Sequence, residues 1–370
     1  MPASSPFVYD EPLAAAELIG RREALALLRD RALDGRNSRL EGPRRFGKTS
    51  LMRAVLDAAQ ADGAHAIEVN FLGCVTPSDV AERIELAYRA QLERPLQQWF
   101  KALVRTLRPT LSAAPGGVGA TIEPQVTAPG LLERLALPRK VVERTGRGCV
   151  IAFDEFQEVF RIDSSLPSVF RSVIEGQREA AAYLFCGSHP GLMRELFSDR
   201  RHAFFGQATP VELGPLPEVD LADALTARFE AHGRGLGEAF EPLLDASEGH
   251  PQRTMLLAHH LFTRTRRGAT ADLVTWTNAH VAARREVAGE IQVVWDGCSR
   301  LERRLLKTIA HRDVPLTGRE AQERFGLVKS GSTQVAVDRL LRDGTLVVDE
   351  TTRSGWRIVD PFLAAWLRGE

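Results

Sequence analysis

The chain has 370 residues, 44% hydrophobic and 26% charged, a composition that excludes a disordered protein and a length that favours two or three domains over one small core. Its 48 basic and 48 acidic residues cancel, so only a local basic face could draw it to nucleic acid. The four cysteines, Cys74, Cys149, Cys186 and Cys298, are scattered with no C-x-x-C pair, which argues against metal ligation and for free thiols in a reducing compartment.

The N-terminus, "MPASSPFVYDEPL", has neither the basic nor the apolar region of a signal peptide, and residues 1–15 read as a disordered tail. No stretch approaches the roughly 20 apolar residues of a membrane span, so a cytoplasmic protein with no membrane partner is expected. "AAAELIGRREALALLRDRAL" carries Leu25, Leu28 and Leu33 at helical spacing. A short strand over 38–41 then runs into a glycine loop, and "TSLMRAVLDAAQADG" follows as a helix that Gly63 ends. Next come the strand "AIEVNFL", a helix over 77–92, and an irregular region with a possible hairpin in "SAAPGGVGATIEPQVTAPG". In "PLQQWFKALVRTLRP", Trp99, Phe100, Leu103 and Leu107 group beside Lys101, Arg105 and Arg108, a pattern of either a core-facing helix or a surface for a membrane or partner.

A helix over 130–144 precedes "CVIAFDE", a continuous apolar run of the kind buried on both faces of a sheet. The helix "SVFRSVIEGQREA" and the strands "AYLFCGS" and "TPVELGPL" complete an alternation that implies an α/β fold, a parallel sheet flanked by helices, over 16–216. From Glu218 the strands stop, and successive helices fill 217–290. Over 291–370, three helices precede the alternating "TLVVDE", the turn "TRSG" and the strand "WRIVD", the order of a winged helix-turn-helix.

Gly42 to Thr49 reads G-x-x-x-x-G-K-T between a strand and a helix. Such a loop turns successive N–H groups and a helix N-terminus onto one anion. Gly42 and Gly47 permit the bends, Lys48 reaches β- and γ-phosphates, Thr49 offers a hydroxyl to Mg²⁺, and Ser50 could bond an α-phosphate. The alternative is a glycine-flanked turn before a basic helix. Asp154 and Glu155 end a buried strand, at the sheet edge where ligands bind. Asp154 is a candidate Mg²⁺ partner and Glu155 a candidate general base, against the alternative of an acidic helix start. Ser188 and His189 end the next strand, where Ser188 either reads a γ-phosphate and holds the lytic water or merely forms a turn. Gln157 is a further candidate for positioning that water. In "SEGHPQRTMLL", Pro251 could press on a base and Arg253 swing to the phosphates, or both could simply start a helix; His250 is a ligand candidate that reads more readily as turn filler.

Together "LIGRREAL", "GPRRFGKTSL", "IAFDEFQEV", "FCGSHPGLM", the "GHP" turn and "IVDPFLAAWL" resemble the archaeal-type P-loop ATPases of the STAND group, relatives of AAA+ proteins, from about Leu18 onward. The resemblance implies an ATP/ADP-binding P-loop NTPase core (ASCE/AAA+-like), a helical lid and a winged helix, with ATP as a conformational switch. It also implies that Ile19, Gly20 and Arg21 pack near the adenine, that Pro251 contacts the nucleotide, and that Arg44 and Arg45 meet phosphate or the lid. Gly206-Gln207 stands where the family often has Gly-Arg, which would slow hydrolysis unless Arg200 or Arg201 substitutes. No guanine-reading motif is present, which leans toward adenine.

Thr333, Gln334, Arg339 and Arg342 are the outward candidates on the helix that would read DNA, but Asp338 and Asp343 offset the arginines. Three functions follow: a slow ATPase that signals to a protein partner, which the presence of Glu155 favours; a nucleotide-gated DNA-binding regulator; and an ATP-binding scaffold without turnover. The partner is not specified by the sequence, and self-association is left open.

Overall fold

The structure, a computed structural model, describes residues 5–107, 128–327 and 331–370. The glycine-rich segment read as a possible hairpin lies almost wholly outside the described residues. Five strands form one parallel sheet: β1 Ser38–Glu41, β2 His65–Asn70, β3 Cys149–Asp154, β4 Ala181–Cys186 and β5 Thr209–Glu212, in the spatial order β2-β3-β4-β1-β5. In β3 and β4 every residue is buried, as their unbroken apolar runs require of strands with helices on both faces.

The two-residue period of a strand divides these side chains between two cores. Ile151, Phe153, Tyr183 and Phe185 face one core, with Phe100, Phe156, Phe170 and Phe197. Val150, Ala152, Leu184 and Cys186 face the other, against Leu51, Met52 and Val55 of the helix Lys48–Ala61. Phe100 is buried, and Trp99 and Leu103 pack on the first core, so the helix Arg94–Leu107 takes its core-facing reading. Because the strands are parallel, the exits of β1, β3 and β4 gather at one edge of the sheet.

Beyond the sheet lie the helices Glu218–Ala231, Phe240–Ser247, Pro251–Arg264 and Leu273–Asp296. The last continues through Gly289 and Glu290, past the expected boundary at 290/291, because an exposed glycine weakens a helix without stopping it. Three helices follow, Arg300–Ala310, Arg319–Phe325 and Gly331–Arg342, then the antiparallel hairpin of β6 Leu346–Val348 and β7 Trp356–Ile358, and the helix Pro361–Arg368. All these helices share a single apolar cluster, running from Leu225 and Phe229 through Leu257 and Ala283 to Leu306, Val337 and Phe362. Among the described residues, no helix is long and apolar enough to cross a membrane.

Residues 5–15 depart from the expected disordered tail. Phe7 is 1% exposed, with its ring 5.2 Å from Phe229 and 5.8 Å from Phe262, and the Leu13 amide donates to Ser50 Oγ at 3.0 Å. One buried aromatic anchors a segment that otherwise looks unstructured, because burying such a ring stabilises by several kcal/mol. Phe7→Ala should therefore cost about 3–5 kcal/mol, seen as a lower thermal midpoint; an unchanged midpoint would return the segment to a tail.

Candidate functional site

A cavity of about 280 Å³ opens at the edge of the sheet where β1, β3 and β4 end. Its floor is the loop Gly42–Gly47. Gly42 has φ 145°, and a Cβ there would lie 2.7 Å from the Leu213 carbonyl, so the turn out of β1 excludes any larger residue. Lys48 is buried, and its ammonium donates to the carbonyls of Gly42 (2.9 Å) and Pro43 (2.6 Å). Burial pushes its pKa below the ordinary value, a cost that an anion in the cavity would offset.

Thr49, in the first turn of the helix, points its hydroxyl at Asp154 Oδ2, 3.5 Å away. Asn70, which ends β2 in register with Asp154, donates to the same oxygen at 3.3 Å. Asp154 is buried, and burial followed by the neighbouring Glu155 raises its pKa. A hydroxyl and a buried carboxylate on one wall, beside a loop shaped for phosphate, are the oxygen donors that a hydrated Mg²⁺ accepts. A divalent cation would also relieve the charge penalty on Asp154.

Glu155 has φ 52°, the left-handed region that side chains rarely occupy. Its Oε2 accepts from Ser188 Oγ at 2.7 Å and from the Gln157 side-chain amide. Gln157 is fully buried, with its Oε1 unpartnered. It reaches Glu155 by passing over Gly187, where a Cβ would lie 2.3 Å from Oε1 and 2.7 Å from the Met193 side chain. Ser188 also contacts His189 Nδ1 at 3.2 Å.

The sequence matches no protein-family model, and no curated protein matches it. In structure it is similar to the Walker-type ATPase PABY2304 of Pyrococcus abyssi, with TM-score 0.70 at 17% identity over 98% of this chain and 99% of that one. The ORC2 protein of Aeropyrum pernix, solved as ADPNP–ADP complexes, gives TM-score 0.58 at 15% identity over 99% of this chain and 97% of that one. The fold is that of an AAA+-type P-loop NTPase. At such low identity the likeness is one of fold.

Within that fold, Arg44, Arg45, Gly47, Lys48, Thr49, Ser50, Asp154, Glu155, Ser188 and Pro251 all line the cavity. Other expected residues are placed elsewhere. Ile19 is buried in the helical cluster, and Arg21 donates to the carbonyls of Gly214 (2.6 Å) and Phe46 (3.4 Å), so 19–21 brace the loop without lining the cavity. Residues 8–13 line it instead, and only the buried Phe7 could have signalled that. Ser50 Oγ is already the acceptor for the Leu13 amide, leaving its hydroxyl proton as the one group free to donate.

Arg253 does not reach toward the cavity. It is 1% exposed and forks onto Asp360, with Nη2–Oδ2 at 2.5 Å and Nε–Oδ1 at 3.2 Å. Gln207 precedes β5, where its carbonyl accepts from Asn37 just before β1. That is the entry edge of a parallel sheet, opposite the cavity, so an arginine there would not meet a phosphate bound in the same chain. Arg201 pairs with Asp199, also outside the cavity. Asn70 and Gly187 escaped the sequence reading, although a polar residue closing an apolar strand beside "FDE" was a usable signal.

His250 is not turn filler. Its Nδ1 accepts from the Arg253 amide at 3.3 Å to cap the helix Pro251–Arg264, and its ring packs 4.9 Å from Phe46 of the loop. Burial lowers its pKa to about 4. Between pH 6.5 and 4 the unfolded chain binds a proton that the folded chain refuses, so stability is full above pH 6.5 and falls as pH drops toward 4. The loss should be on the order of 3 kcal/mol across that window. His250→Asn, which keeps a capping acceptor, should flatten that part of a denaturation-versus-pH curve; an unchanged slope would contradict the assignment.

Proposed function

We propose that the chain binds ATP and ADP with Mg²⁺ in this cavity, hydrolyses ATP slowly, and works as a STAND-type switch whose nucleotide state is read by a protein partner. The observation that carries this is the meeting, around one cavity, of the Lys48–Thr49 helix start, the Asp154–Glu155 exit and Ser188. ADPNP and ADP in the similar ORC2 structure agree with an adenine nucleotide.

Lys48 and the loop amides would hold the β- and γ-phosphates, with Arg44 and Arg45 at the rim. Thr49 and Asp154 would hold the magnesium ion, which supplies neutralisation of the phosphate charge. Glu155 would take the proton of the attacking water, and Ser188 would orient Glu155 and sense the γ-phosphate. Pro251 and residues 8–13 would enclose the base and sugar. We attribute slow turnover to the restraint on Glu155: one carboxylate oxygen already accepts from both Ser188 and Gln157, which leaves only the other oxygen to take up water.

We read residues 291–370 as a winged helix-turn-helix domain that docks on protein. Arg339 lies 3.3 Å from Glu302 and 3.6 Å from Asp343, and Arg357 lies 3.1 Å from Asp349 and 3.8 Å from Glu248. The helix Gly331–Arg342 rests on the helix Pro190–Ser198, where Gly191 meets Arg342 so closely that a Cβ would be 2.6 Å from its Cα. A DNA-regulator role would require those pairs and that contact to open.

Lys48→Ala should abolish ATP binding in calorimetry, and Glu155→Gln should bind ATP but lose hydrolysis by at least about 100-fold in a phosphate-release assay. Turnover by Glu155→Gln equal to that of the wild type would remove Glu155 as the base. Absence of any turnover in the wild type, with tight binding, would favour a scaffold.

A further inference from the structure

Arg45 occupies a peculiar place in the loop. Its backbone has φ 66°, it lines the nucleotide cavity, and yet its guanidinium leaves that cavity to pair with Glu290 on the helix Leu273–Asp296. The pairing is bidentate, Nη1–Oε2 at 2.6 Å and Nη2–Oε1 at 2.7 Å. Those hydrogen bonds hold the Glu290 carboxyl below its usual range despite partial burial.

The same carboxylate lies 3.5 Å from Arg253 Nη2, and Arg253 is held by Asp360. Arg45, Glu290, Arg253 and Asp360 thus form a row of two cations and two anions, reaching from the phosphate loop to the last helix. The two ends of the row differ in strength. Arg253 is buried beside the apolar cluster that the lid and C-terminal helices share while Asp360 is partly exposed, and removing the carboxylate would strand a buried charge. The side chains of Arg45 and Glu290 are 41% and 47% exposed, so this pair is weak and exchangeable. It is also the pair that crosses from the sheet to the helical unit.

We infer that the Arg45–Glu290 pair is a latch with which phosphate competes: an ATP phosphate chain takes Arg45 from Glu290 and frees the C-terminal part of the helix Leu273–Asp296 from the phosphate loop. This rests on the ATP-binding reading above. An incoming phosphate makes one anion in the row surplus, and Glu290 is the one with another cation already beside it. A cavity of about 600 Å³ bounded by Arg45, Arg253, Glu290, Gly344 and Asp360 gives its side chain room to turn. The C-terminal helices keep their contact with the helix Pro190–Ser198, so the release is local to the Glu290 end of the Leu273–Asp296 helix.

The test uses the full chain and Mg-ATP. Glu290→Gln, an isosteric change at a half-exposed site, should tighten ATP binding in calorimetry about fivefold, the range of a surface ion pair. Without nucleotide it should also raise amide hydrogen exchange over 288–296 to the level that the wild type shows only with ATP. Arg45→Gln should raise exchange in the same way, but weaken ATP binding. If Glu290→Gln leaves either the affinity or the exchange at the wild-type value while the wild type binds ATP, the latch is overturned alone. If the wild type binds ATP no better than Lys48→Ala, the nucleotide reading falls and the latch with it.

Discussion

A guanidinium with 1% of its surface exposed sits between the start of the helix Pro251–Arg264 and the start of the last helix, and Asp360 is held against it. A lone buried cation would cost several kcal/mol, so an anion must stay beside Arg253. Asp360 supplies that anion while its side chain caps the last helix through the Phe362 amide, so one carboxylate serves both the charge and the fold. The helices from Glu218 onward share one apolar core. They meet the loop Gly42–Gly47 through the Arg45–Glu290 pair and the packing of His250 on Phe46.

The sheet contributes position. Neighbouring parallel strands end at the same edge, so residues separated by more than a hundred positions in sequence come together there. Thr49 and Asp154 meet across that edge, as do Glu155 and Ser188. Glu155 is held in a left-handed conformation with two donors on one oxygen, and Gly187 leaves just the space that Gln157 needs to be one of them. Backbone strain of this kind costs on the order of 1–3 kcal/mol and persists only where the surroundings enforce it.

The phosphate loop, the β3 exit and the alternation of strands and helices were legible because each depends on local order: glycines at fixed spacing, an unbroken apolar run, a period of two or 3.6. Arg253 shows where such reasoning stops. A helix-start arginine after a Gly-x-Pro turn looks like a phosphate ligand, and nothing nearby in sequence reveals an aspartate more than a hundred residues later that captures it. Gln207 shows the reverse error. A missing arginine seemed to weaken the site, but the direction of β5 puts that position at the far edge of the sheet.

By itself, then, the sequence determined the AAA+-type P-loop core, the loop that would cradle phosphate and the carboxylates that close it, because those features are encoded in short contiguous patterns. The tertiary structure alone decided which polar groups face the cavity and which are spent on one another. It turned Arg45 to Glu290 and Arg253 to Asp360, brought residues 8–13 over the loop, and set Ser188 against Glu155. Pairings of that kind depend on how separate elements pack, and a charged side chain commits to whichever opposite charge the packing brings within reach.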